Sequence, residues 1–404
     1  MTSRFLLNPH AGPLAEEPPD DRRPLELHRR LPGYAPTPLL DAPHLAAQLG
    51  LARVQVKDES CRMGLPAFKI LGAAWAVERA LAAHLGGLAP WGSLPELRRQ
   101  IEPLGLTLAA ATDGNHGRAV ARMAGALGCR AHILVPAGTA QARIEALRAE
   151  GAAVTVVDGS YDDAVARSAA LAGPRCLVIS DTSWPGYEQI PREVIAGYST
   201  IFHEIDDALA ARGEGPPDVV VIQMGVGALA AAAIRHYRRP GGPLILGVEP
   251  ARAACVLASL EAGRIVEVPG PHDSIMAGLN CGAPSLIAWP LLRRGLDAAV
   301  AVEDELAREA MRLLAAEGVV AGETGAAGVA GLLALRREPG GAELAAALGI
   351  GAHSRALVLV TEGATDPASY RQIVGAEPAG CEERRRCPLC RGGAVRAWGG
   401  EARG

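Results

Sequence analysis

What most limits the fold of this chain is the order in which short apolar runs and helix-like segments alternate along it. Runs rich in Val, Ile, Leu and Ala at 54–56, 106–112, 132–135, 154–157, 177–180, 219–224, 244–248 and 356–360 end at or near Gly, Asp or Pro. Segments at 68–83, 117–127, 141–149, 162–171, 190–211, 228–237 and 303–316 carry helical patterning and fall between or after those runs. Buried strands alternating with helices predict a largely parallel α/β sheet, because parallel neighbours need a helix-sized crossover and are covered on both faces. A chain of 404 residues outgrows one hydrophobic core, so two domains, or one large domain with a substantial insert, are expected.

Composition narrows the partners. A net charge of −4 lacks the basic stripe that a phosphate backbone requires, so no nucleic acid is expected. The longest apolar stretch, 219–234, is cut by Gln223, Gly225 and Gly227, which predicts strand, turn and helix rather than a membrane span. The N-terminal residues lack the apolar core of a signal peptide, so a cytoplasmic address is expected. Residues 1–30, rich in Pro and charge, are expected to form an arm, and 379–404, rich in Gly, Arg and Cys, a disordered tail. Cys61, Cys129, Cys176, Cys255 and Cys281 are too scattered for a disulfide framework and are expected mostly as reduced, separate thiols, with a redox-sensitive pairing of Cys255 and Cys281 as the alternative. Cys381, Cys387 and Cys390 read C-x5-C-x2-C, but a zinc site wants four N or S ligands and no histidine follows, so no metal is expected.

Lysine occurs only at Lys57 and Lys69, both inside one short stretch, so an amine nucleophile has two candidates. Lys69 stands in Ala67-Phe68-Lys69-Ile70-Leu71-Gly72-Ala73, near the start of an expected helix. The positive end of a helix disfavours a cation, which predicts an amine inclined toward its neutral, nucleophilic form. The plain alternative is a lysine that lays its stem along the helix and keeps its head in water.

Two further segments are suited to anions. Ala111-Thr112-Asp113-Gly114-Asn115-His116-Gly117 closes one strand and opens a helix, where backbone N–H groups gather, although one capping side chain would explain such a turn. Gln223-Met224-Gly225-Val226-Gly227-Ala228-Leu229-Ala230 follows the strongest strand and makes a second cradle. Its Gly225, Gly227 and Ala230, with Glu249 ending the next strand, also fit a dinucleotide fingerprint, so an NAD-binding dehydrogenase stays open. Asp181-Thr182-Ser183-Trp184-Pro185-Gly186-Tyr187 and Thr361-Glu362-Gly363-Ala364-Thr365-Asp366-Pro367 place polar groups after strands, where open α/β sheets bind ligands.

Taken in order, Pro36-Thr37-Pro38-Leu39, KDES at 57–60 with AFKILGA at 67–73, ATDGNHG at 111–117, DTSWPGY at 181–187, MGVGAL at 224–229, IMAGLNCG at 275–282, GETGA at 322–326 and TEGATDP at 361–367 resemble diaminopropionate ammonia-lyase. The resemblance spans about residues 33–375, and single motifs are shared with other fold type II pyridoxal-phosphate enzymes. It implies an α/β fold of two open twisted-sheet domains, tryptophan synthase β-like, in a homodimer. The large domain would take 31–94 and 196–378, the small one 95–195.

By the same resemblance, pyridoxal 5'-phosphate is held by the amine of Lys69 with Phe68 beside the ring. Gly225, Val226, Gly227, Ala228 and Leu229 would hold its phosphate, Asn115 its ring hydroxyl and Thr361 its pyridine nitrogen. Thr112, Gly114, Asn115 and His116 would receive the carboxylate of a small amino-acid substrate. Lys69 is then a base, and Asp113 and Asp181 serve a leaving amine that must be protonated. In hydroxyamino-acid dehydratases the position of Asp113 is typically small and neutral, which favours a diamine over serine or threonine; a serine/threonine dehydratase or β-replacement enzyme is the alternative. Ala364 replaces an acid common in the family's last motif, and the Cys-rich tail is an addition to it.

Overall fold

The chain is described from a computed structural model covering residues 3–14, 21–112 and 114–381. Asp113, Cys387, Cys390 and the rest of the expected tail after 381 lie outside the described residues. The strands are β1 Arg4–Leu7, β2 Leu39–Asp41, β3 Arg53–Asp58, β4 Thr107–Ala111, β5 Arg130–Pro136, β6 Ala153–Val157, β7 Cys176–Val178, β8 Val219–Gln223, β9 Leu244–Pro250, β10 Ala298–Val302 and β11 Arg355–Val360.

They form two sheets in two compact units. One unit holds the described residues of Met1–Asp21, Thr37–Cys61 and Ile201–Arg386. Its seven-stranded sheet runs β1-β10-β9-β8-β11-β3-β2. The five inner strands are parallel, and β1 and β2 close the edges antiparallel. All five residues of β8 and of β10 are buried, the continuous apolar pattern that coverage on both faces demands. Each Val, Leu or Ile so buried contributes about 1.5–3 kcal/mol.

The other unit holds Arg22–Pro36 and Arg62–Thr200. Its sheet, β6-β5-β4-β7, is wholly parallel. The helix Ile70–Leu85 belongs here and packs on the helix Gln189–Gly197. Their crossing is close because both contact positions are glycine: a Cβ on Gly197 would lie 2.6 Å from Leu71 O, and one on Gly72 would lie 2.5 Å from Tyr198 Cε1.

Several expectations change. Within the expected arm, Arg4–Leu7 is an edge strand and Arg23–His28 a helix. His28 is buried in that helix, its Nε2 donating to Leu71 O at 2.9 Å and its Nδ1 2.7 Å from Thr200 Oγ1. The helix expected over 190–211 is two, Gln189–Gly197 and Ser199–Ala211, broken at the buried Tyr198. Cys61 is no separate thiol: it forms a disulfide with Cys381, at a Cα–Cα distance of 5.4 Å and 320 residues away in sequence. Only the tertiary fold brings the end of β3 to that distant segment. Among the described residues Cys129, Cys176, Cys255 and Cys281 take part in no disulfide.

Candidate active site

Lys69 occupies the N-cap position of the helix Ile70–Leu85, in helical backbone geometry. Its position along the helix does not by itself govern its charge. Lys69 Nζ donates to Asp181 Oδ2 at 2.7 Å and lies 5.5 Å from the Phe68 ring centre and 6.0 Å from that of Tyr198. A carboxylate and two aromatic faces all favour the ammonium form. The two rings pack at 4.7 Å, and the close glycine crossing sets Tyr198 there. Trp75 Nε1 donates to Glu193 Oε2 at 2.8 Å and ties the same two helices together.

Asp181 is held by the loop that DTSWPGY builds. After β7, the Tyr187 hydroxyl donates to Val178 O at 2.6 Å and accepts from Ser180 N at 3.1 Å, pinning the loop to the strand end. Trp184 and Tyr187 stack with ring centres 4.1 Å apart across a Pro185-Gly186 turn. Burial pushes the Asp181 carboxyl up, but the charges of Lys69 and His116 and the hydrogen bond from Lys69 outweigh it and hold it at about 2. Asp181 is therefore a carboxylate at any working pH. The third member, His116, sets Nδ1 3.8 Å from Asp181 Oδ2 and Nε2 2.8 Å from Ile179 O.

The ATDGNHG segment ends β4 and opens the helix Asn115–Leu127. Thr112 Oγ1 accepts from Gly114 N at 2.9 Å and Gly117 N at 3.2 Å, so the threonine itself satisfies two N–H groups of the expected cradle. Asn115 is half-buried at the helix start, and the His116 side chain turns inward. Asp113 lies outside the described residues.

In the seven-stranded unit, β8 runs into the glycine turn and the helix Ala228–Tyr237. Gly227 caps that helix with φ 92°, a left-handed geometry that favours glycine. A Cβ on Gly225 would stand 3.0 Å from Cys281 Sγ and 3.2 Å from Gly278 O, so the turn lies tight against the IMAGLNCG segment. The first N–H groups of Val226 to Leu229 thus face a helix start, where backbone donors have no partner within the helix. Thr361, buried at the end of β11, accepts at Oγ1 from Gln223 Nε2 at 2.8 Å. Gln223 also reaches Leu359 O at 3.0 Å and Thr324 O at 3.2 Å.

Glu249 is not placed for a ribose. It is fully buried and accepts Val256 N and Leu257 N, both at 2.8 Å, at the start of the helix Cys255–Ala262. Its carboxylate is used up as a cap, which removes the acid on which the dinucleotide reading rested. Lys57, the other amine, is sealed in the sheet unit, donating to Glu204 Oε2 at 2.7 Å and Thr37 O at 2.8 Å.

The structure thus gathers Lys69, Phe68, Asp181, His116 and Thr112 in one unit, and the glycine turn with Thr361 in the other. Sequence reasoning missed Tyr198, which no motif flags, and named Gln223 only as an interruption of an apolar stretch at the start of the glycine turn, without its bond to Thr361.

Comparison with known proteins completes the description. The family profile described as pyridoxal-phosphate dependent enzyme matches residues 30–350. Diaminopropionate ammonia-lyase of Salmonella typhimurium strain LT2 is 37% identical over 367 residues, which cover 87% of this chain and 90% of that protein. The crystal structure of diaminopropionate ammonia lyase from Escherichia coli in complex with D-serine matches with a TM-score of 0.84 at 33% identity, covering 92% of this chain and 97% of that one. The complex of that enzyme with an aminoacrylate-PLP azomethine reaction intermediate gives a TM-score of 0.83, again at 33% identity over 92% and 97% of the two chains. Fold and sequence agree along nearly the whole length, and the chain belongs to the diaminopropionate ammonia-lyase family of pyridoxal-phosphate-dependent enzymes.

Proposed function

We propose that the chain eliminates ammonia from 2,3-diaminopropionate in a pyridoxal-phosphate-dependent reaction ending in pyruvate and a second ammonia, with Lys69, Asp113 and Asp181 as its working side chains. The observation that carries this reading is the 2.7 Å pair between Lys69 Nζ and Asp181 Oδ2. It leaves the amine reachable, whereas Lys57 is locked away: the Lys69 side chain is 25% exposed and that of Lys57 1%.

The residues present suit the cofactor by kind. An aldehyde needs an amine, supplied by Lys69. A phosphate needs backbone donors, supplied at Gly225, Val226, Gly227, Ala228 and Leu229, where a Cβ on Gly225 would crowd Cys281 Sγ at 3.0 Å. Phe68 would flank the ring and Asn115 meet its hydroxyl. Thr361 would address the pyridine nitrogen, and the bond it accepts from Gln223 leaves its own hydroxyl hydrogen to donate. For the substrate carboxylate, Thr112 would offer a hydroxyl, Asn115 and His116 main chain rather than side chain, since the His116 ring is committed to Ile179 O, and Gly114, whose N–H is held by Thr112 Oγ1, would shape the turn.

When bound, pyridoxal phosphate supplies an electron sink for the carbanion left when Cα loses its proton. Lys69, once its amine is neutral and free, is the base for that proton. Asp181 holds the Lys69 amine in place and, as a carboxylate at about 2, does not compete for the proton. An amine at Cβ leaves only as ammonia, so it must gain a proton; Asp113 is the acid assigned to give it. A carboxylate near the leaving group also favours the second ammonium of a diamine, which serine and threonine lack.

Pyruvate release from diaminopropionate, serine and threonine tests the substrate assignment. The diamine is expected to be preferred, and Asp113→Asn to reduce its turnover roughly 100-fold or more while sparing the hydroxyl substrates. Equal losses on all three would remove Asp113 from its role, and a preference for serine or threonine would make the enzyme a dehydratase. Two finer points belong to the same reading: a homodimer, which rests on the family likeness, and a cytoplasmic location, which rests on the composition of the N-terminal residues; light scattering and cell fractionation test them.

A further inference from the structure

Away from the cluster around Lys69, the four-stranded unit carries a cleft of about 630 Å³ where Arg30 and Trp91 meet Glu78 and Arg79 of the helix Ile70–Leu85. Glu78 follows Lys69 by about 13 Å along the helix axis, so the cleft stands apart from the working amine. Its outer wall is fixed without help from a ligand. The Gln100 side-chain amide accepts from Ala89 N at 3.0 Å and donates to Ala89 O at 3.2 Å, and Glu96 Oε2 accepts from Gly92 N at 2.8 Å. Arg30 lays its guanidinium over the Trp91 ring at 5.3 Å and donates from Nη1 to Trp91 O at 3.1 Å, with Trp91 itself buried. A site whose walls are already formed loses little freedom when it is filled.

The polar atoms left over are of two kinds. Glu78 is 6% exposed, and its Oε2 is held by Arg79, whose guanidinium also stacks on Trp75 at 4.9 Å. Among the described residues Glu78 Oε1 has no hydrogen-bond partner, although the side chain lines the cleft. Arg30 Nε and Nη2 and Arg79 Nη1 have none among the described residues either. A nearly buried carboxylate oxygen calls for a donor, and guanidinium N–H groups call for an anionic acceptor.

We propose that this cleft binds a free α-amino acid with an apolar side chain, its carboxylate on Arg30 and Arg79 and its ammonium on Glu78 Oε1. A phosphate or a plain carboxylate satisfies the arginines but sets its charge against Glu78. A simple amine satisfies Glu78 but meets two arginines. A ligand that carries both signs a few bonds apart answers both, and Leu88 and Pro90 beside Trp91 give its side chain an apolar surface. The volume falls within the range of small-molecule sites, which join such a surface to a few placed polar groups. No group of the cleft takes part in the assignment of Lys69, so the two readings stand or fall separately.

Isothermal calorimetry on the holoprotein tests the proposal with L-leucine as the probe, L-leucinamide as the analogue without a carboxylate and 4-methylpentanoate as the analogue without an ammonium. Leucine is expected to bind, each analogue to bind roughly tenfold or more weakly, and Glu78→Gln and Arg30→Met to weaken leucine by a similar factor. The visible band of the cofactor should stay unmoved as leucine is added. No binding of leucine, equal affinity for 4-methylpentanoate, or unchanged affinity in both variants would each overturn the proposal, and a band that shifts with leucine would place the ligand on the cofactor instead. Wild type also decides without variants: leucine should slow amide hydrogen exchange over residues 86–92, and unchanged exchange there would refute the site.

Discussion

Lys57 Nζ spends its bonds on Glu204 and Thr37 O inside a sheet, while Lys69 Nζ stands beside Asp181 with part of its side chain in water. Burial, more than position in a helix, separates the inert amine from the usable one. Asp181→Asn should therefore leave the fold intact, as judged by circular dichroism, and lower kcat on diaminopropionate roughly 100-fold; an unchanged kcat would make the pair structural only. Asp181 was legible because a polar motif after a strand is where such sheets bind ligands. Glu249 was misread for the same reason: its position at a strand end suggested a ligand, and only the fold shows it capping a helix. Burial pushes its carboxyl up to about 8, against the pull of the Val256 and Leu257 N–H groups. Because the folded value exceeds the unfolded one near 4.5, its stabilising contribution is complete below 4.5 and is lost as pH rises through 8. Thermal melts should show wild type losing about 5 kcal/mol over that span relative to Glu249→Gln, whose curve stays flatter; parallel curves would mean the carboxylate is ionised throughout.

At the scale of elements, the crossing of helices Ile70–Leu85 and Gln189–Gly197 does most to shape the site, since it presses Tyr198 against Phe68 and Lys69. Gly72→Ala would set a methyl 2.5 Å from Tyr198 Cε1. A loss of about 1–3 kcal/mol in denaturant unfolding is expected, with a changed near-ultraviolet tyrosine signal; no loss would mean the helices part without strain. The break at Tyr198 was invisible in the sequence because 190–211 carries helical patterning throughout, and a tertiary contact places the interruption. The strands 219–223, 244–250 and 355–360 were legible from their Val, Ile and Leu. β10, Ala-Ala-Val-Ala-Val, was not, since alanine carries little preference for strand over helix. β1 hid in a segment whose later prolines and charges suggested an arm.

For the molecule as a whole, the disulfide Cys61–Cys381 joins points 320 residues apart, so it constrains the unfolded chain strongly. Cys381→Ser should cost about 2–4 kcal/mol of stability. Added reductant should lower the wild-type melting temperature and leave the variant unmoved; equal sensitivity in both would show that the pair is not closed in solution. The parallel α/β plan followed from the alternation of strands and helices and its division into two sheets from the family resemblance, but no local pattern could announce a pairing across most of the chain. The claim on which the rest depends is that Lys69 is the amine that carries the cofactor. Borohydride reduction of the holoprotein, followed by peptide mass mapping, tests it most directly. A pyridoxyl mass on the peptide containing Lys69, with none on that containing Lys57, is the expected result; a label on Lys57, or no stable label at all, would contradict it.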